Sequence, residues 1–212
     1  MDKLILSVTK NESRNLIDLN DATKIKILQK HDSKCSACNI NLPSHAHFHE
    51  EGSKIIPLCV LCYYPLHVDR IVSREPGKVI LLPEMSQIEL NATLRAMEYI
   101  RLQSTILKSD KQNEFTEIAD AVDIIEVLFK DRAEMAEGFY AEGISNVNLL
   151  SQVLCSLSDE DYAKRETGLY GLRFMHNMSI YGNEMQSWES QLSKFKPAAW
   201  RSLVKKISES RI

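Results

Sequence analysis

Two CxxC pairs, Cys35-x2-Cys38 and Cys59-x2-Cys62, are separated by twenty residues and hold four of the chain's five cysteines. A CxxC turn brings two sulfurs to one side of a tight loop, so two such turns supply the four thiolates of a tetrahedral zinc site. Redox use needs only one CxxC beside a βαβ pattern, and the sequence has no such pattern. With Cys35, Cys38, Cys59 and Cys62 filling every position, a single Zn2+ keeps no vacancy for water or substrate, so the ion is read as structural. Four thiolates around one divalent cation leave a net negative centre, a poor attractor for phosphate. In small zinc modules the binding free energy, on the order of 10 kcal/mol, becomes folding free energy.

The segment between the pairs contains "HAHFH". Residues at i, i+2 and i+4 of a strand share a face, so His45, His47 and His49 could present three imidazoles to a second metal beside Glu50 and Glu51. An outer strand face with nothing bound is the simpler reading. His67, just beyond the second pair, fits either a ligand role or a helix surface. Cys155 stands alone in "LLSQVLCSL", whose apolar neighbours mark it as an inert core thiol.

Around these residues the hydrophobic periodicity sets out the elements. "LILSV" (Leu4 to Val8) reads as a short strand, and "DATKIKILQKHD" as a helix capped by Asp21. Val79 to Leu82 form the continuous apolar run of a buried strand. "SQIE" from Ser86 to Glu89 is a capping box. It opens a helix with Leu90, Leu94, Met97, Ile100 and Leu107 near one face. Phe115, Ile118, Val122, Ile125 and Phe129 form the clearest amphipathic stripe in the chain. Gly138 and Gly143 punctuate the chain beyond that stripe, and Ser158 caps a further short helix. A last helix, "KPAAWRSLVKKISESRI", starts near Pro197 and aligns Trp200, Leu203, Val204 and Ile207. These signals predict an α+β chain: a metal-binding module with a few short strands over residues 1–85, then a mainly α-helical part over 86–212.

Composition narrows the function. The chain has 212 residues, 44% of them hydrophobic, and a formal charge of −3. No bulk attraction to nucleic acid or anionic lipid is expected. Between His31 and Lys78, five basic residues face five acidic ones before the thiolates are counted, whereas a phosphate-tracking surface shows a basic excess. The opening apolar run spans only five residues, too short for a signal peptide or membrane span. The expected location is therefore the cytoplasm, where thiols stay reduced and available to metal.

"LQKHDSKCSAC" and "IIPLCVLC" resemble the zinc-binding treble clef of HNH endonucleases. That resemblance implies a ββα active site with a general-base histidine, an asparagine ahead of the third cysteine and a histidine after the fourth. Here Lys54 and Tyr63 occupy the last two positions. A lysine places positive charge where a hard cation belongs, and a tyrosine stays protonated at neutral pH. The expectation is a chain that is not an enzyme, with no catalytic residues. The alternative is a metal-dependent nuclease using His47 or His49.

"GKVILLPEMSQIELNATLRAM" is similar to the strand, Leu-Pro-Glu turn and Gln-x-Glu-Leu-Asn helix start of the IcmJ (DotN) family, which carries the same degenerate HNH-like segment ahead of it. The match covers roughly residues 22 to 100. It implies a non-enzymatic subunit of a type IVB secretion or conjugation coupling complex, cytoplasmic and held at the inner membrane through its partners. Those partners are the C-terminal extension of the DotL-like coupling ATPase, other coupling subunits and, indirectly, effector adaptors. Neither nucleic acid nor direct membrane insertion is implied. Aromatic and methionine-rich stretches, "YYPLH", "GLYGLRFMHNMSIYGNEMQSW" and Trp200, are candidate contact surfaces.

Overall fold

Asn20, rather than Asp21, opens the first helix: its side chain accepts a hydrogen bond from the Thr23 amide, and Asp21 becomes the first helical residue. The computed structural model describes residues 4–10, 19–42, 46–71, 73–106, 114–194 and 202. His45, Leu107, Pro197, Trp200, Leu203, Val204 and Ile207 lie outside them.

Helix α1 (Asp21–Lys30) leads into the first CxxC turn. An antiparallel hairpin comes next, β1 (His47–Glu51) and β2 (Lys54–Leu58), paired in register from His47 with Leu58 to Glu51 with Lys54. One turn of helix, α2 (Val60–Tyr63), carries the end of the second CxxC. Strand β3 (Gly77–Leu81) precedes the long helices α3 (Gln87–Ile106) and α4 (Glu114–Phe139). The remainder runs α5 (Val147–Ser156), α6 (Asp159–Ala163), α7 (Arg165–Gly168), β4 (Leu172–His176) and α8 (Gly182–Leu192). The chain is thus mixed helix and antiparallel sheet.

The local signals explain most of these elements. Glu89 Oε2 accepts from the Ser86 amide at 2.8 Å, and Ser86 Oγ accepts from the Glu89 amide, so the capping box starts α3 where the pattern places it. Ile118, Val122, Ile125 and Phe129 are buried along α4. Asn146 and Ser158 cap α5 and α6. Gly143 sits in a turn at φ +82°, the left-handed conformation that glycine adopts without penalty.

Elsewhere tertiary contacts overrule the local pattern. Gly138 lies inside α4, which runs on to Phe139. Leu4 to Val8 form no strand; Leu4, Leu6 and Val8 are buried, while the Ser7 amide donates to Pro65 O and Ser7 O accepts from Val68. The expected helical part contains β4, which pairs with β3 from Gly77–His176 to Leu81–Leu172. Gly77 is needed there. At φ +127°, a Cβ on it would stand 2.1 Å from Met175 O. Cys155 is exposed on α5 rather than in the core, because the helix buries Val147, Leu150 and Leu154 instead.

One hydrophobic cluster joins Cys35, Ile56 and Leu61 to Leu90, Met97, Val122 and Trp188, so residues from both parts of the chain share it. A second gathers Leu6 and Val8 with Val79, Leu150, Leu154 and Phe174. Among the described residues no helix is long and apolar enough to cross a membrane.

Candidate metal centre

The first CxxC sits in a turn closed by its own backbone. The Cys35 amide donates to Ile40 O at 2.8 Å, the Asn39 amide donates back to Cys35 O at 2.9 Å, and Asn39 takes a left-handed φ of 59°. A bridge between Lys34 and Asn41 pins the ends of this loop. In the second CxxC, Cys59 is the residue before α2 and Cys62 lies within its single turn. Helical geometry brings positions three apart to one face, so both sulfurs project together.

The structure brings all four cysteines to one point. Their sulfurs lie within 4.8 Å of one another, and those of Cys38 and Cys59 are 3.7 Å apart. Tetrahedral coordination with Zn–S bonds of about 2.3 Å places sulfurs about 3.8 Å apart, whereas a disulfide needs about 2 Å. None of the four is in a disulfide. Cys35, Cys59 and Cys62 are buried and Cys38 is partly so. This donor set fits a single metal ion, and it is the sole group of three or more metal-capable side chains among the described residues.

The four thiols shift one another's titration in opposite directions. Hydrogen bonds from Cys35, Cys59 and Cys62 drive the Cys38 thiol far below the usual range, and Arg95 adds to this. Hydrogen bonds from Cys35, Cys38 and Cys59, with burial, push the Cys62 thiol far up. A divalent cation at their centre would deprotonate all four sulfurs, because coordination removes the thiol proton.

Two residues that cysteine spacing does not point to complete the site. Arg95 on α3 donates from Nη1 to Cys38 Sγ at 3.4 Å and is only 6% exposed. Burial opposes its charge, but Cys38 and Cys59 more than offset that and raise its pKa. Its guanidinium also lies 5.6 Å over the Trp188 ring. Asn91, one turn earlier, donates to Leu61 O at 2.7 Å and sits 3.7 Å from Cys62 Sγ. Gln87 holds Asn91 in place by donating to its Oδ1, and exchanges hydrogen bonds with the Phe174 backbone on β4. The signal was present in "QIELNATLR": Gln87, Asn91 and Arg95 recur every four residues and are polar on a face that is otherwise apolar.

The histidines form a separate cluster. On one face of β1, His47 stacks on Tyr63 at 4.6 Å, and Tyr63 stacks on His67 at 4.3 Å. His49 Nδ1 lies 2.9 Å from His67 Nε2. Burial pushes His67 down to about 3 and lowers His49, so both imidazoles are neutral at pH 7. Tyr63 is buried and accepts from Arg70 Nη1 at 2.9 Å, a packed and anchored ring. Lys54 is exposed at the start of β2, opposite Glu51. His45 falls outside the described residues.

No protein-family model and no curated protein sequence matches the chain.

Proposed function

We propose that this protein is a non-enzymatic, zinc-stabilised adaptor of the IcmJ (DotN) kind, docking the C-terminal extension of a coupling ATPase in a type IVB secretion or conjugation complex. Its location on this reading is cytoplasmic, at the inner membrane through its partners. The observation that carries the structural half is the closed sulfur quartet, in which every tetrahedral position is protein. Zinc is the favoured ion because four thiolates at this spacing suit it and it brings no redox chemistry. The order of CxxC turn, β-hairpin and helix bearing the second CxxC is that of a treble clef, which we take the segment to be. The secretion role rests on the resemblance of residues 22–100, and the Gln87–Asn91–Arg95 network gives the Gln-x-Glu-Leu-Asn helix start a physical purpose.

A second reading, a metal-dependent nuclease, is favoured by the His49–His67 pair, in which His49 lies on the hairpin between the two CxxC turns. One purified sample separates the two. An adaptor holds one equivalent of zinc, captures the ATPase tail and leaves supercoiled plasmid intact with Mg2+ or Mn2+. Nicking that disappears when His47 and His49 are replaced by alanine, with no tail captured, overturns the adaptor.

A further inference from the structure

Helix α4 has two apolar faces, and among the described residues only one is buried. Ile118, Val122, Ile125, Phe129, Ala133 and Ala136 are buried. On the outer side Ile124, Leu128, Met135 and Phe139 are 59%, 46%, 46% and 73% exposed, with Val127 beside them at 56%. Spacings of four, seven and four residues keep these side chains in line, since a helix repeats about every 3.6 residues. The seam runs for about 22 Å at 1.5 Å per residue. A row of this length on a single exposed helix face is not scattered surface hydrophobicity.

Asp131 falls on the same line, midway between Leu128 and Met135, and is exposed. Asp120, four residues before Ile124, stands at the N-terminal end of the seam, and Glu134 lies beside it next to Met135; both are exposed. Among the described residues none of these three acids has a basic partner; nearby Lys130 is bound to Glu126, and Arg132 to Glu84. A polar residue inside an apolar seam fixes register and selects the partner.

From this we infer that the outer face of α4 docks an amphipathic helix of another protein, whose apolar stripe carries a lysine or arginine at its centre to meet Asp131. A straight helical seam is matched by a second helix, whose ridges fill its grooves. A second copy of this chain is disfavoured: two α4 helices crossing antiparallel at mid-seam would set Asp131 against Asp131, with Asp120 and Glu134 adding like charge. The inference rests on the adaptor reading only for the partner's identity, not for its chemistry.

The test uses the full metal-loaded chain and a fluorescein-labelled helical peptide with leucines along one face, a central lysine and flanking lysines. A matched peptide carries glutamate at each lysine. The lysine peptide is expected to bind and the glutamate peptide not to, with Leu128→Glu weakening binding roughly tenfold or more. Asp131→Lys is expected to exchange the two preferences. Circular dichroism and metal content confirm that these exposed substitutions leave the fold intact. Equal binding of both peptides, no effect of Leu128→Glu, or self-association that Leu128→Glu abolishes would each overturn the proposal. Protection of residues 195–212 from protease that is lost in Leu128→Glu would overturn it too, because the chain would then cover its own seam. The ATPase tail serves as a separate probe. If wild type and Leu128→Glu capture it equally, the adaptor stands and the tail is not this seam's partner, and the peptides alone then uphold or overturn the surface. If the tail fails to bind while the lysine peptide succeeds, the adaptor reading falls and the surface stands.

Discussion

Asn91 and Arg95, one turn apart on α3, reach Cys62 and Cys38, sulfurs from opposite CxxC turns. The helix therefore clamps the centre across its two halves. Arg95 also brings a full positive charge to a site that four thiolates leave negative even with a divalent ion.

Arg95→Met should weaken metal retention about 10- to 100-fold, as loss of an outer partner of a metal ligand commonly does. Competition with a chromogenic chelator measures this directly. Arg95→Lys should recover part of the loss, because it restores charge without the planar fork. Wild-type affinity in Arg95→Met would mean the guanidinium only packs against Trp188.

The cysteines should divide into one reactive and four silent thiols. Cys155 is exposed, although burial of its sulfur raises its pKa and slows attack. A thiol-reactive dye on the metal-loaded protein should label one site, which Cys155→Ser removes, and chelation should unmask the other four. Cys35→Ser or Cys59→Ser should release the metal and expose residues 1–85 to protease. Full metal content in either variant would dismiss the four-sulfur assignment.

His176 predicts a pH dependence. It is fully enclosed, with Nε2 3.0 Å from Leu61 O and Nδ1 3.0 Å from the Tyr181 hydroxyl, and burial pushes it down to about 3. An unfolded histidine titrates near 6.5, so between about 6.5 and 3 the unfolded chain binds the extra proton. Stability from this group is then complete above pH 6.5 and falls as pH drops towards 3. His176→Gln should flatten that part of the slope in urea melts, against a wild-type control that also reports acid release of the metal. An unchanged slope would show that His176 is not enclosed in solution.

Gly77→Ala should cost about 1–3 kcal/mol from backbone strain alone and more from the contact with Met175 O, lowering the melting temperature. Gly52→Ala is the comparison: its φ of +61° is also left-handed, but nothing lies within 4 Å of its added Cβ. Equal losses at both positions would remove the steric argument.

The range of each interaction decides whether the sequence discloses it. The CxxC spacing, the Ser86–Glu89 box and the α4 stripe are local patterns, and each reappears at its residues. β4 was hidden because "LRFMH" is a five-residue run with no alternation, and its partner β3 lies far back in the chain. Leu4 to Val8 had the composition of a strand, but among the described residues they meet the Pro65 and Val68 backbone and the Tyr162 hydroxyl rather than a partner strand. Cys155 looked buried because its neighbours are apolar, yet the helix turns Leu149 and Val153 outward with it. The roles of Asn91 and Arg95 required knowing which way α3 faces, which periodicity alone does not reveal.

The pairing of β3 with β4 also constrains birth on the ribosome. After Leu81 has been added, its partner Leu172 is still to be synthesised, a wait of roughly 5–20 s at elongation rates of about 5–20 residues per second. Through that interval Val79 and Ile80 leave the exit tunnel without their sheet partner. Nascent chains halted before residue 172 should therefore engage chaperones more strongly than the full-length chain after release.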